Sequence, residues 1–181
     1  KPPELTWQDA EKLIKAFKQI KFLAPPTTGL SPIGGDQIRK ALENILNPDF
    51  VDVLERPPAL YRGGVPFIIE VGISYGGQAG RQTEEGRKME IMRFANRAPL
   101  LFDAGGCAIN KAIDSIDWKR YEIKDPHNEP LTVFVNLVSV HIPYQSAGKQ
   151  SISQEEEIVN EIRLAVMDCA RRLKTFLHGK R

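Results

Sequence analysis

Residues that could carry out acid–base or nucleophilic chemistry are few in this 181-residue sequence. Its three histidines are His127, His141 and His178. A Ser-His-Asp arrangement can be imagined around any of them, but such triads are recognised by geometry and not by spacing. The sequence therefore does not predict a complete active site within this chain.

The two cysteines, Cys107 and Cys169, form no Cys-x-x-Cys pair. A zinc site is therefore not expected, and we predict no metal ligands in this chain. Both cysteines fall on the apolar faces of predicted helices. That position is typical of buried thiols in a protein from a reducing compartment.

Gly148-Lys149 lies between an apolar strand-like run and a helical pattern, which is where a phosphate-binding loop would lie. The spacing of such a loop requires glycine at the position of Pro143 and serine or threonine at the position of Gln150. Neither requirement is met, so an independent nucleotide site is not predicted. Two interpretations remain open: a solvated loop lysine, or a lysine offered to a phosphate that is held elsewhere.

The run Trp118-Lys119-Arg120-Tyr121 places two cations between two aromatic residues. Such a run can pair with phosphates and stack on a nucleic acid. The alternative is a strand edge with two packed rings and two solvated basic side chains.

A looser basic set is interrupted by Glu84, Glu85 and Glu90, which favours an ordinary charged surface. Its members are Arg81, Arg87, Lys88, Arg93 and Arg97. The formal net charge of the whole chain is only +2, so global charge does not indicate a nucleic-acid partner. No apolar run reaches the roughly 20 residues that a membrane-spanning helix needs.

Two helices are predicted over residues 5–47. The first begins at Thr6, with Asp9 completing a capping pair. Pro25-Pro26 ends it, and Ser31 followed by Pro32 begins the second. Two short helices bury too little surface to be stable alone, so this segment must pack on another part of the protein.

The pattern then changes to strands and one short helix. Four strands are expected, near residues 50–54, 66–75, 89–98 and 131–140, the last of them buried on both faces. Residues 78–87 are expected to form a mobile loop, 105–117 a helix and 118–130 an irregular segment. The predicted class is α+β, with one unit over residues 1–48 and a second over 49–181.

A long helix is predicted over residues 154–178. At 1.5 Å per residue it would span about 37 Å, which is more than the core of this domain needs. Glutamates at its start and basic residues near its end complement the helix dipole. We interpret it as a connector to another part of a larger assembly.

Several segments, in this order, resemble the B subunit of topoisomerase VI. Residues 22–27 and 30–34 resemble its helix-two-turns-helix module, of which this chain would hold a part. Residues 93–101, 118–121 and 143–149 resemble its transducer domain. The resemblance covers nearly the whole chain, and it implies a transducer-type βαβ fold whose crossover is left-handed, against the general right-handed preference.

The same resemblance implies roles for particular residues. Lys149 would be the switch lysine that contacts the γ-phosphate of ATP, with Gly148 and Gln150 beside it in the nucleotide-contacting loop. Trp118, Lys119, Arg120 and Tyr121 would contact DNA. ATP and Mg²⁺ would be bound mainly by an ATP-binding domain outside this sequence, so this fragment alone would be inactive.

The implied assembly is a type IIB DNA topoisomerase, an ATP-hydrolysing isomerase. Its partners would be the A subunit of topoisomerase VI, a second copy of the B subunit in an A2B2 heterotetramer, and double-stranded DNA, with no membrane contact. The location would be cytoplasmic and nucleoid-associated in an archaeon, or nuclear in a eukaryote.

The sequence departs from the family pattern at two places. His141-Ile142 occupies the position of an expected Trp-Val pair, and Ala147 that of an acidic residue. The chemistry of that loop is therefore expected to differ in detail from the family's. Two other functions remain open beside the topoisomerase: an ATP-independent nucleic-acid-binding βαβ module, and a topoisomerase-like scaffold in meiotic break formation. Gly148-Lys149 favours the topoisomerase, because neither alternative needs a lysine on that loop.

Overall fold

The computed structural model describes residues 6–19 and 27–180. The helices are α1 (Trp7–Gln19), α2 (Gly35–Leu46), α3 (Ala108–Asp114) and α4 (Glu156–Gly179). The strands are β1 (Phe50–Glu55), β2 (Ala59–Tyr61), β3 (Val65–Tyr75), β4 (Arg81–Thr83), β5 (Gly86–Lys88), β6 (Glu90–Ala95), β7 (Ala98–Pro99) and β8 (Leu131–Ser139). Turns of 3-10 helix occur at Thr27–Gly29, Trp118–Tyr121 and Pro126–Asn128. The predicted break at Pro25-Pro26 lies outside the described residues.

Six of the strands form one mixed sheet in the order β1-β3-β8-β6-β7, with β2 also paired to β3. Strand β3 is antiparallel to β1, β2 and β8, whereas β6 and β8 are parallel neighbours. Parallel neighbours need a crossover, and α3 lies within this one. The predicted α+β class and βαβ unit are confirmed, while the handedness of the crossover stays a prediction.

Strand β8 is the centre of the molecule, and all nine of its residues are buried. Val133, Val135 and Leu137 face the main core, which α3 and α4 cover. Phe134 points to the opposite face, where α2 packs. Helices on both faces explain why this run is apolar without the alternation of a half-exposed strand.

Helix α4 lies on the sheet over its whole described length. Its buried face extends from Ile158 to Leu173. In its last turns, the Phe176 ring lies 5.2 Å from the Phe50 ring, and Lys180 Nζ lies 3.1 Å from Asp49 Oδ2. The expectation that this helix extends past its own core is therefore wrong for the described residues, because β1 continues the packing surface to the end of the helix.

Helix α2 packs on the other face of the sheet through Ile38, Leu42 and Leu46. It begins at Gly35, and not at the predicted Ser31-Pro32 start. The reason is a tertiary contact: the backbone N–H groups of residues 33 and 34 donate to the Glu70 carboxylate on β3. These donors hold the segment against the sheet before the helix begins.

Three further elements differ from the sequence-based expectation. The expected loop at residues 78–87 contains the β4–β5 hairpin, and the short strand β2 had not been predicted. The expected strand 89–98 ends at Ala95, because Asn96 and Arg97 have φ values of 46° and 69°. Two consecutive positive φ values are the signature of a tight hairpin turn, here leading into β7. The capping pair of Thr6 and Asp9 is confirmed.

Within the described residues, no helix combines the length and the apolar character that crossing a lipid bilayer would require.

Candidate functional site

Lys149 lies at the tip of the loop that joins β8 to α4. A bridge between Tyr144 and Ile152 closes the base of this loop. At the tip, the Lys149 N–H donates to the Ser146 carbonyl at 3.2 Å. Gly148 has a φ of 80°, the value that the third position of a type II turn requires and that favours glycine. The sequence therefore fixes a tight turn immediately before the lysine.

The Lys149 side chain is exposed and makes no hydrogen bond or ion pair with any other residue in the described part of the chain. It lines an open cleft of about 610 Å³. The other lining residues are Ala98, Pro99, Leu100, His141, Ile142, Tyr144, Ser146, Ala147, Gly148 and Gln150. None of them is acidic, so this cleft presents one ammonium group to an incoming anion and offers no carboxylate to a metal ion.

Gln150 follows Lys149, but its side chain is engaged within the protein. Its Oε1 accepts hydrogen bonds from the N–H groups of Leu101 and Phe102, at 2.7 and 3.1 Å. The carbonyl group of Gln150 accepts a hydrogen bond from Arg93 at 3.1 Å. The side-chain oxygen of Gln150 thus already has two donors, and the implied nucleotide contact of this residue stays a prediction.

His141 and Ile142, the first departure from the family pattern, lie on the wall of the same cleft. The Tyr61 hydroxyl donates to the His141 carbonyl at 2.6 Å and lies 3.0 Å from its Nδ1. Tyr61 is fully buried, and burial raises the pKa of its hydroxyl. These contacts attach the beginning of the loop to β2, although a histidine replaces the expected tryptophan.

Trp118 and Tyr121 lie in the main core, with only 5% and 7% of their surface exposed. Their ring centroids are 6.5 Å apart, and the Trp118 indole N–H donates to the Ile113 carbonyl at 3.2 Å. The rings are therefore closed to stacking by a nucleic acid in this conformation. Lys119 and Arg120 are exposed, and Arg120 lies 3.7 Å from the Asp117 carboxylate. The run forms a 3-10 turn, and not the edge strand considered as the alternative.

The looser basic set does not form one surface. The Arg87 guanidinium folds back onto the carbonyl groups of residues 78–80. Arg93 is 5% exposed. Arg97 donates to the Ser31 and Pro32 carbonyl groups, so it holds the segment before α2. Three of the five cations thus fasten backbone segments inside the domain.

Two polar residues that sequence reasoning missed attach α2 to the sheet. Glu70 and Asn136 are both fully buried and face each other on β3 and β8. Asn136 Nδ2 donates to Glu70 Oε2 at 2.7 Å, and Asn136 Oδ1 accepts from the Arg97 N–H at 3.2 Å. The signal was present in the sequence as single polar residues within strongly apolar strands, because such residues are buried only when they have partners.

The described residues include no group of three or more His, Cys, Asp or Glu side chains that could hold a metal ion. The described residues form a mixed sheet with a βαβ unit and helices on both faces. The loop between β8 and α4 presents the unpartnered ammonium group of Lys149 to the cleft. These features define an α+β module of the transducer type.

The chain belongs to the family described as "Topoisomerase VI B subunit, transducer", whose profile matches residues 25–181. Similar curated proteins are named as the B subunits of type 2 DNA topoisomerase 6. The one from Methanothermobacter thermautotrophicus is 52% identical over 100% of this chain and 35% of its own length. The one from Pyrococcus furiosus is 57% identical over 99% of this chain and 31% of its own length. The chain thus spans about a third of these relatives.

A solved structure, the B-subunit of DNA gyrase from Myxococcus xanthus, has a TM-score of 0.47 and 11% identity to this chain. The overlap covers 76% of this chain and 38% of that one. That likeness is distant, and family membership stands on the sequence matches alone.

Proposed function

We propose that this chain is the transducer part of the ATP-binding subunit of a type IIB DNA topoisomerase. It would couple ATP binding and hydrolysis to double-strand cleavage and strand passage. Family membership supports this function, and the observation that carries it is the exposed, unpartnered Lys149 on the loop between β8 and α4. The partners that this function requires are double-stranded DNA, the A subunit of the enzyme and a second copy of the B subunit.

Lys149 suits the terminal phosphate of ATP held by a neighbouring domain. A lysine ammonium acts as a compact point charge, which a phosphate attracts over a few ångströms. The acid-free lining of the cleft fits the phosphate and leaves Mg²⁺ to be bound by the ATP-binding domain. When the γ-phosphate leaves, the attraction disappears, and the loop can relax together with the elements it joins.

DNA contact is assigned to Lys119 and Arg120, whose side chains are exposed, while Trp118 and Tyr121 support them from the core. Phosphate contacts of this kind position DNA without reading its sequence. The cellular location follows the DNA: the nucleoid in an archaeon, or the nucleus in a eukaryote.

The test is ATP-dependent relaxation of supercoiled DNA by the full-length B subunit reconstituted with its A subunit. Lys149→Ala is expected to reduce relaxation and ATP turnover at least tenfold, with DNA binding retained. Lys111→Ala, which removes another exposed lysine from α3, is the matched control and should have no effect. Relaxation that survives Lys149→Ala would overturn the switch role. If the reconstituted wild-type protein binds DNA but relaxes none with ATP present, one of the two alternative functions would be favoured.

A second test addresses DNA. Lys119→Ala combined with Arg120→Ala leaves both core rings in place, so a loss of affinity cannot be assigned to unfolding. Two lost phosphate contacts should reduce the slope of log affinity against log salt by about 1.8. An unchanged slope would remove these residues from the DNA surface.

A further inference from the structure

Three groups of Gln150 make hydrogen bonds within the protein: its backbone N–H, its carbonyl oxygen and its side-chain oxygen. Its N–H donates to Asp103 Oδ2 at 3.2 Å, and its carbonyl oxygen accepts from Arg93 Nη1 at 3.1 Å. Its Oε1 accepts from the N–H groups of Leu101 and Phe102. The residue directly after Lys149 is thus fastened to the segment 101–103, which follows β7.

Arg93 hydrogen-bonds both to Gln150 and to the segment 101–103. Besides the Gln150 carbonyl, it holds the Phe102 carbonyl through Nη2 at 2.7 Å. The residue is only 5% exposed, and its side chain projects from β6 within the sheet. A planar guanidinium with two fixed acceptors is a stiff connector, because its donors diverge at set angles.

The residues before Lys149 are attached differently. The Gln145 N–H donates to the Ser151 carbonyl at 2.9 Å, and the Gln145 Nε2 donates to the Gly106 carbonyl. Between these anchors and Gln150, the turn at residues 146–149 consists of exposed residues only. We call the hydrogen bonds of Gln150 and Arg93 to the segment 101–103 the frame, and the exposed residues 146–149 the tip. Lys149 is the last residue of the tip and is joined directly to the frame.

We propose that Gln150 and Arg93 are positioning residues for Lys149. The inference rests on the proposed function of Lys149 and deepens it. Gln150 and Arg93 fix the backbone from which the ammonium group reaches, so the charge is presented at one place in the cleft. When Lys149 is pulled by a phosphate, the frame transmits that force to β6 and to the segment 101–103.

The two ends of the Gln150 side-chain amide are in different situations. Its Oε1 accepts from the N–H groups of Leu101 and Phe102, so turning the amide away from the segment 101–103 would break both hydrogen bonds. Its Nε2 can donate to a phosphate without breaking them. The structural use of this side chain therefore rests on its oxygen.

Hydrogen exchange in the nucleotide-free, full-length protein tests the frame without any ATP chemistry. With Gln150→Ala, the amides of Leu101 and Phe102 should exchange about tenfold faster, the equivalent of about one hydrogen bond. Gln150→Glu keeps the acceptor oxygens and should restore slow exchange. Gln154→Ala is the matched control, because it removes a glutamine side chain that bonds the Gly106 carbonyl and not the segment 101–103. Unchanged exchange with Gln150→Ala would overturn the frame.

ATP turnover then tests whether the frame acts through Lys149. Gln150→Ala should lower kcat about tenfold in the wild-type background and have no further effect in a Lys149→Ala background, because the two residues act as one unit. Additive losses would overturn the positioning role and favour direct nucleotide contact. Unchanged turnover with Lys149→Ala would overturn the switch role of Lys149, on which this inference rests. If Lys149→Ala lowers ATP turnover and Gln150→Ala does not, only this inference would be overturned.

Discussion

The Glu70 carboxylate and the Asn136 side-chain amide lie 2.7 Å apart, at facing and fully buried positions of β3 and β8. Glu70 also accepts from the Ile33 N–H at 3.0 Å and the Gly34 N–H at 2.7 Å. One carboxylate therefore joins the central strands to the segment that begins α2. Helix α2 and the sheet should respond to force as one unit, because separating them exposes this carboxylate and its donors together.

Glu70→Ala should destabilise the chain by about 2–4 kcal/mol, since it leaves three donors without their acceptor in a buried site. Glu70→Gln keeps one acceptor oxygen and should cost less. Urea unfolding of each variant measures the difference. Glu84→Ala, at an exposed hairpin position, should stay within about 0.5 kcal/mol of the wild type. An equal effect of Glu70→Ala and Glu84→Ala would contradict the anchoring role.

Gly72 on β3 lies directly beneath side chains of α2. A Cβ atom at this position would lie 2.6 Å from Leu42 Cδ1 and 3.4 Å from Ile38 Cγ2. Gly72→Ala should therefore cost about 1–3 kcal/mol through overpacking. In a double-mutant cycle, Leu42→Ala should lessen that cost, because it removes the atom that clashes. Additive free energies of unfolding would show that the two residues do not touch.

Apolar periodicity was enough to predict most of the architecture. The buried stripe of α4 and the continuous apolar run of β8 each follow from one pattern, so both elements were found within about two residues of their bounds. The turn at residues 96–97 was missed, since Asn and Arg give a weaker signal than glycine for left-handed backbone. The sequence pattern also predicted the wrong start for α2. The N–H groups before this helix donate to Glu70 on β3, and not to a neighbouring capping side chain.

The candidate site was less accessible to sequence reasoning. Lys149 and its glycine were identified by resemblance, but the engagement of Gln150 depends on residues 101–103, which lie about fifty positions away in the chain. The run at 118–121 was visible in the sequence, but its pattern fits two different structures. Aromatic residues beside cations fit both a nucleic-acid surface and a core edge, and only burial separates Trp118 and Tyr121 from Lys119 and Arg120.

Gly148→Ala should impair the Lys149 turn through backbone strain alone. Gly148 has a φ of 80°, yet no atom lies within 4 Å of the position that a Cβ would occupy, so the expected cost of about 1 kcal/mol is conformational. ATP turnover by the reconstituted enzyme should fall several-fold. Gly148→Asn, which tolerates left-handed backbone, should recover part of it.

Gly63 provides the matched control for this prediction. Its φ is 73°, and it too has nothing within 4 Å of the Cβ position. Gly63→Ala should therefore cost similar stability in a thermal melt while leaving turnover unchanged. Equal losses of turnover in both variants would show that general destabilisation, and not the lysine turn, is responsible.

Cys169 should resist alkylation in the native protein at pH 8. Its side chain is fully buried, and burial, with the nearby Asp52 carboxylate adding to it, raises the pKa of the thiol to about 12. The reactive thiolate is thus suppressed as well as shielded. Mass spectrometry after iodoacetamide treatment should show Cys169 unmodified in buffer and modified in denaturant. Modification in buffer at the denatured rate would contradict this packing.

The same thiol should affect stability at alkaline pH. A raised pKa favours the neutral thiol in the folded state, so its contribution is complete below the unfolded pKa of about 8.5 and is lost as pH rises towards about 12. Between pH 9 and 10, this one group should lower the free energy of unfolding by about 1.4 kcal/mol per pH unit. Cys169→Ala removes a packed side chain at every pH, so the informative quantity is the slope of the free energy of unfolding against pH. In this variant the slope should become shallower by that amount.

Tyr75 is present in both proteins, so it does not affect the comparison. Its pKa is also raised to about 12, mainly by burial, and it contributes only above its ordinary pKa of 10.0. Identical slopes for the wild type and Cys169→Ala over this interval would show that the thiol ionises equally in the folded and unfolded states.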